Sequence, residues 1–203
     1  MLDRPHLLLP LISSVIYVLG ALLVRRAADL GVGLWRTTFV ANSLSAILFL
    51  PLKLLGGPGQ PVSQWWQPAV LAAVLVLGQT LGFFALTRGD VTVATPMLGL
   101  KTLLVAILTH LLLHLPVEPR LWWAAGLSTA GIALLHRAGS GHPRRLGISV
   151  GAGAGAALAF ALFDVLIQRW SPLWGAGQLI PIVMILGAHF SLVFVPFFRV
   201  PLW

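Results

Sequence analysis

Residues 89–120 read GDVTVATPMLGLKTLLVAILTHLLLHLPVEPR, and the fold turns on how this stretch is taken. From Val91 to Leu115 it is apolar and long enough, at ~20 helical residues per bilayer, to cross a membrane. One charge stands inside it. Lys101 lies ten residues from one end of the run and fourteen from the other, about 15 Å from the nearer boundary at the helical rise. A charge at the bilayer centre costs ~2.5–3.5 kcal/mol on insertion scales. A snorkelling side chain of ~6 Å falls short of the interface from that depth. The expectation is therefore an inward-facing lysine, paired with an acid or lining a watery cavity.

Working outward, the rest of the chain has the same character. Of 203 residues, 58% are hydrophobic and 9% charged, against about 25% charged in a soluble domain. Six more apolar stretches lie near 7–24, 34–52, 68–87, 119–136, 148–168 and 174–197. Helix is the default in lipid, where a chain must satisfy its own backbone groups. The two-residue alternation of a membrane barrel is absent. The reading is all-α: a polytopic transmembrane helix bundle of about seven spans. Trp65–Trp66, Trp122–Trp123, Trp170 and Trp174 fall at span ends as an aromatic belt.

The net charge of +8 does not indicate nucleic acid. The basic residues sit singly or in pairs at the ends of apolar runs, as membrane flanks do. With no cysteine, disulfides and thiolate metal sites are excluded. One face collects Arg4, Lys53, Arg120 and Arg169. The other collects Arg25, Arg26, Arg36, Arg88, Arg137, Arg144, Arg145 and Arg199. The positive-inside rule by itself puts the second set in the cytoplasm and the N-terminus outside.

A weak internal repeat is visible. YVLGALLVRRAADLGVGLWR (17–36) lies on FALFDVLIQRWSPLWGAGQL (160–179), with Arg25–Arg26 on Gln168–Arg169 and, after a small gap, Pro51 on Pro196. The sixth span then repeats the first and the seventh the second. Five spans separate the two starts, so the second copy is inverted. Inverted repeats with a site between the halves are a common plan of secondary transporters. The expected division is 1–137, a first five-helix repeat, and 138–203, two helices of a second.

FFALTRGDVTVATPMLGLKTLLVAIL (83–108) followed by LPVEPRLWWAAGLSTAGIALL (115–135) resembles the third-to-fifth spans of an EamA-type protein of the drug/metabolite transporter superfamily. The matching features are Ala85–Leu86, the turn Gly89–Asp90, Pro96, the long fourth span, Glu118, and Gly126 with Gly131. The resemblance implies a ten-span pattern of two five-span repeats, of which this chain carries the first and part of the second, without the last three spans. It also implies a cytoplasmic N-terminus, against the charge count. Glu118 stands one residue nearer its glycine than the family pattern has it.

Asp164 is the other acid well inside a span, and with Lys101 makes the pair of candidate charge elements. Depths counted along the two helices are about 15 Å for Lys101 and about 24 Å for Asp164. Asp164 is the best partner for Lys101, across a gap that two side chains and a water could bridge, with pairing of Asp164 to Gln168 or Arg169 as the equal alternative. The gap favours a water-lined cavity at Lys101 over direct contact. Uncharged polar residues that could line a site are Asn42, Gln79, Thr95, Thr102 and Gln178. Thr95, Thr102 and Thr109 are spaced by seven and make a stripe on one face of the fourth helix. Gly78 with Gly82, and Gly151 with Gly155, are small-residue pairs at the spacing that lets helix backbones approach. His110 and His114 share a face, but no third ligand is apparent, and no metal or cofactor is expected.

The function expected is a secondary transporter, an exporter of small metabolites working by alternating access. No nucleotide-binding loop is present, so coupling falls to an ion gradient or to substrate alone. No nucleophile–base pair or carboxylate cluster speaks for an intramembrane enzyme. The alternative is a truncated or non-transporting membrane protein that serves as a subunit or assembly partner. Expected partners are the lipid bilayer, a small-molecule substrate, and a second copy or partner subunit docked on the 151–155 face. The expected location is a bacterial inner membrane.

Overall fold

The computed structural model describes residues 8–89, 93, 97–116, 118–136 and 143–193. Among them are seven α-helices and no strand: α1 (Leu8–Asp29), α2 (Leu34–Phe49), α3 (Trp66–Arg88), α4 (Lys101–Leu113), α5 (Pro119–His136), α6 (Pro143–Trp174) and α7 (Ala176–Val193). Short 3-10 segments, Leu50–Leu55 and Val62–Gln64, join α2 to α3. The fold is the all-α bundle read from the sequence. By length and composition, Leu34–Leu55, Val62–Arg88 and Leu146–Trp174 can each cross a membrane, and Lys101–Leu113 and Ala176–Leu192 are shorter apolar helices.

Breakers set the ends. Prolines open α5 and α6, where a missing N–H costs no helical hydrogen bond. α4 closes on His114 in the left-handed region, φ 52°, with Pro116 two residues beyond. The expected 25-residue fourth span is not one helix throughout. A turn at Gly99–Leu100 precedes Lys101, held by tight i→i+3 bonds from Leu100 N to Met97 O (3.1 Å) and from Thr102 N to Gly99 O (3.3 Å). Glycine's low helix propensity suits such a break. Pro96 and Thr95 lie outside the described residues.

Contacts between distant segments fix an up-and-down order. The C-terminal end of α1 meets that of α3, through Arg25 Nη1 donating to Leu86 O and Thr87 O, both 3.1 Å. The start of α2 meets the end of α7, where Trp35 Nε1 donates to Ser191 O at 2.8 Å. The start of α3 meets the end of α6, where Trp174 Nε1 donates to Gln67 Oε1 at 2.8 Å. The end of α6 also meets the end of α4, with Arg169 Nη1 on Leu112 O at 3.3 Å. Each pairing joins ends that lie on one face only if consecutive helices alternate in direction.

The bundle centres on α3, which packs on α6, α7, α2 and α1, while α4 packs on α6 and α5. Its contact with α6 is a small-residue seam. A Cβ on Gly78 would stand 3.1 Å from the Phe160 ring, and one on Gly82 would stand 3.8 Å from the Ala156 Cβ. Lipid tails are as apolar as leucine, so close backbone approach of this kind, not a hydrophobic force, draws such helices together. The seam covers one end of the 151–155 face: a Cβ on Gly155 would meet Leu81 at 3.2 Å, and Ala156 and Ala157 are buried, whereas Gly151 faces open space. Elsewhere the outer surface is apolar, with Ile12, Ile16, Leu19 and Leu23 of α1 and Ile47 and Leu48 of α2 exposed, as lipid contact requires.

At the opposite rim the α2–α3 connection is wedged against the α6–α7 turn. Gly57 (φ +152°) and Gly175 (φ +73°) adopt backbones that side chains disfavour. A Cβ on Gly57 would stand 2.6 Å from the Trp174 carbonyl oxygen, and one on Gly177 would collide with Gly56 O. Gln60 Nε2 adds a bond to Leu173 O at 2.6 Å. T-shaped contacts of Trp65 with Trp174 and of Trp66 with Trp170 close this end.

Candidate functional site

Lys101 is the first residue of α4, and its Nζ lies 2.7 Å from Asp164 Oδ2 of α6. This corrects the depth estimate that kept the two apart. Counting from Val91 assumed a continuous helix, which the turn at Gly99–Leu100 breaks. Counted from the rim that α4 and α6 share, Lys101 lies twelve residues before Leu113 and Asp164 ten before Trp174. Those positions are about 18 and 15 Å deep, a difference that two side chains span. Both depths are near the middle of a ~30 Å hydrocarbon core.

The local electrostatics favour the pair over either charge alone. A cation at the first residue of a helix opposes the macrodipole, whereas a carboxylate there is stabilised by it. The α4 N-cap, Leu100, offers no side-chain cap, so the Asp164 carboxylate supplies the negative charge at this terminus. Phe160, one turn before Asp164 on α6, places its ring centroid 6.0 Å from Lys101 Nζ, at the outer limit for a cation–π contact. The same ring lies against Gly78. The seam, the ring and the ion pair thus form one contiguous unit. Both charged side chains are 40% exposed, so the pair stands on an open face of the packed helices.

The other sequence candidates are divided. Thr102, exposed, follows Lys101 on α4, and Thr109 lies two turns further along. Asn42 does not join the ion pair. It is buried between α2 and α7, where its Nδ2 donates to Thr38 O (3.0 Å) and Ser191 Oγ (2.8 Å). Gln79 lies on α3 with its Oε1 buried. Gln178 is at the rim, its Cγ 2.9 Å from where a Gly57 Cβ would stand.

Phe160, Ser191 and Trp35 were not singled out from the sequence. Phe160 had a readable signal, its i, i+4 spacing to Asp164. Ser191 had a weaker one, a hydroxyl in an otherwise apolar helix. Trp35 had none beyond its position near a span end. Arg25 and Arg169 also acquire roles. Each donates to carbonyls in the last turn of a neighbouring helix, which favours cations, and Arg25 Nε also pairs with Asp29 Oδ1 at 3.3 Å.

An all-α bundle of apolar helices carrying a half-exposed, mid-depth ion pair has the architecture of an integral membrane protein. The chain matches the EamA-like transporter family over residues 4–137 and belongs to that family, which places it among the membrane transporters of the drug/metabolite superfamily. Comparison with curated proteins and with solved structures returned no match.

Proposed function

We propose that this protein exports small metabolites across a bacterial inner membrane by alternating access between two inverted halves, residues 1–137 and 138–203, with the N-terminus cytoplasmic. The observation that carries the reading is the Lys101–Asp164 ion pair. Its two members belong to the two different halves and meet at mid-membrane. Rocking of the halves separates them, and bare charges at that depth are costly. A substrate bearing its own charged groups replaces the lost contact on each side. Opening is thereby linked to occupancy, because a ligand shifts a conformational equilibrium only through its differential affinity for the two states. The face on which the pair is half-exposed is then the aqueous vestibule from which substrate enters. The match over residues 4–137 covers the proposed first half. The pairing of α2 with α7, second helix against second helix, suits a two-fold relation between the halves.

The experiment is flux through purified protein in liposomes, screened across amino acids, amines and nucleosides. Wild type should accelerate the flux of at least one class, and Asp164→Asn should abolish it. Absence of any flux in wild type, or undiminished flux in Asp164→Asn, would overturn the proposal.

A further inference from the structure

The two sides of the ion pair are held differently. Asp164 and Phe160 stand one turn apart on the same face of α6. The seam wedges the Phe160 ring against α3, where a Cβ on Gly78 would lie 3.1 Å from it and one on Gly82 3.9 Å. Carboxylate and ring thus make a recess that belongs to α6 and α3. Both of its walls attract cations, the carboxylate by its charge and the ring by the negative face of its quadrupole. Lys101 enters from another element. Its Nζ lies 2.7 Å from Asp164 Oδ2 and over the ring, 6.0 Å from the centroid. It arrives on a flexible four-carbon stem, from a helix terminus whose dipole disfavours a cation. The stem can withdraw while the recess stays. Both charged side chains are half-exposed, so a solute reaches the recess from the open face.

We propose that the Asp164–Phe160 recess is a binding site for alkylammonium groups, that Lys101 occupies it as a tethered ligand, and that the transported substrate carries a primary ammonium that displaces Lys101. The chemistry of the occupant is read from Lys101 itself: an ammonium on a straight alkyl chain, beside one carboxylate oxygen and an aromatic ring. A metal ion suits the recess less well. It has one carboxylate, and no group of three His, Asp or Glu stands together among the described residues, whereas hard cations take six or more oxygens. An anion would have to displace Asp164 from Lys101 beside a ring face that repels it. Lys101 keeps the carboxylate paired when no amine is bound. Self-occupancy lowers apparent affinity, because the recess is competent only while Lys101 is withdrawn. The substrate part rests on the transport reading; the binding part does not.

The test is chemical rescue. Lys101→Ala removes the side chain beyond Cβ, a group with the outline of n-propylammonium. The purified variant is melted in n-propylammonium chloride, in NaCl at equal ionic strength, and in NaCl with n-propanol. The amine salt should raise its melting temperature saturably, by roughly 5 °C or more at a hundredfold excess over the dissociation constant. NaCl and propanol should not. Adding Asp164→Asn should abolish the response, and adding Phe160→Leu should weaken the affinity roughly two- to fivefold. Wild type should respond at roughly 5–150-fold higher amine concentration, since Lys101 competes, and Asp164→Asn alone should not respond. These two proteins keep the test alive should Lys101→Ala not fold. Equal rescue by propanol or NaCl, a response that survives Asp164→Asn, or no response to the amine in wild type overturns the proposal. Binding is read without flux, so a protein that binds the amine and transports nothing overturns the transport reading and leaves the site standing.

Discussion

At the scale of the residue, the ion pair determines what substitution does. Lys101→Met removes the ammonium and leaves the Asp164 carboxylate at mid-membrane without its counter-charge. Breaking a fully buried pair costs about 3–5 kcal/mol; both side chains here are 40% exposed, so about 1–3 kcal/mol is expected. Adding Asp164→Asn should recover most of that loss while transport stays absent, a coupling that thermal melts of the two single mutants and the double measure directly. Sequence went part of the way. It picked out both residues by their depth in apolar runs, and missed their contact because helix counting treats a run as straight. The turn at Gly99–Leu100 has no strong sequence signal, since one glycine in an apolar run is tolerated in a continuous helix as readily as it ends one.

Between elements, the α3–α6 seam predicts opposite fates for two glycines of similar appearance. Gly78→Val drives a branched side chain into the Phe160 ring and should destabilise by about 1–3 kcal/mol, the usual cost of overpacking. Gly151→Ala meets nothing within 4 Å and should be neutral, or stabilising by up to about 1 kcal/mol through helix propensity. Resistance to unfolding in detergent distinguishes the two. The GAGAGAALA run (151–159) told a reader that α6 packs closely on something. Which of its faces was covered depended on α3, more than sixty residues away, and spacing within one helix cannot reveal that. The arginines were hidden for a similar reason. Arg25 is an ordinary span-end cation in sequence and becomes a cap of α3 only when the α3 terminus is brought to it.

For the whole molecule, alternation of the helices makes a topological prediction that the absence of cysteine makes simple to test. Val32 lies in the α1–α2 turn and Gly59 in the α2–α3 connection, on opposite faces of the bundle, and both are exposed. With the N-terminus cytoplasmic, Val32→Cys should react with a membrane-impermeant maleimide in intact cells, and Gly59→Cys only after permeabilisation. The reverse pattern would mean that the excess of arginine at the Val32 end dictates orientation. Part of that excess is engaged within the fold, since Arg25 is bound to Asp29 and to the carbonyls of α3. The number and order of helices were legible because lipid imposes a length and an apolarity on every span. Their lateral arrangement was not, because one lipid-facing apolar side chain looks like another.

The bond between Asn42 and Ser191 spans 149 positions of the chain. A ribosome adding ~5–20 residues per second needs roughly 7–30 s to travel that distance. Throughout that interval α2 sits in the membrane with its carboxamide bonded only to Thr38 O of its own helix, held there by the apolarity of the residues around it. α7 arrives late and supplies the serine hydroxyl, while at the other rim Gly177 seats beneath Gly56. Translation arrested before residue 176 should therefore leave a nascent bundle with α2 loosely attached and exposed to quality-control proteases.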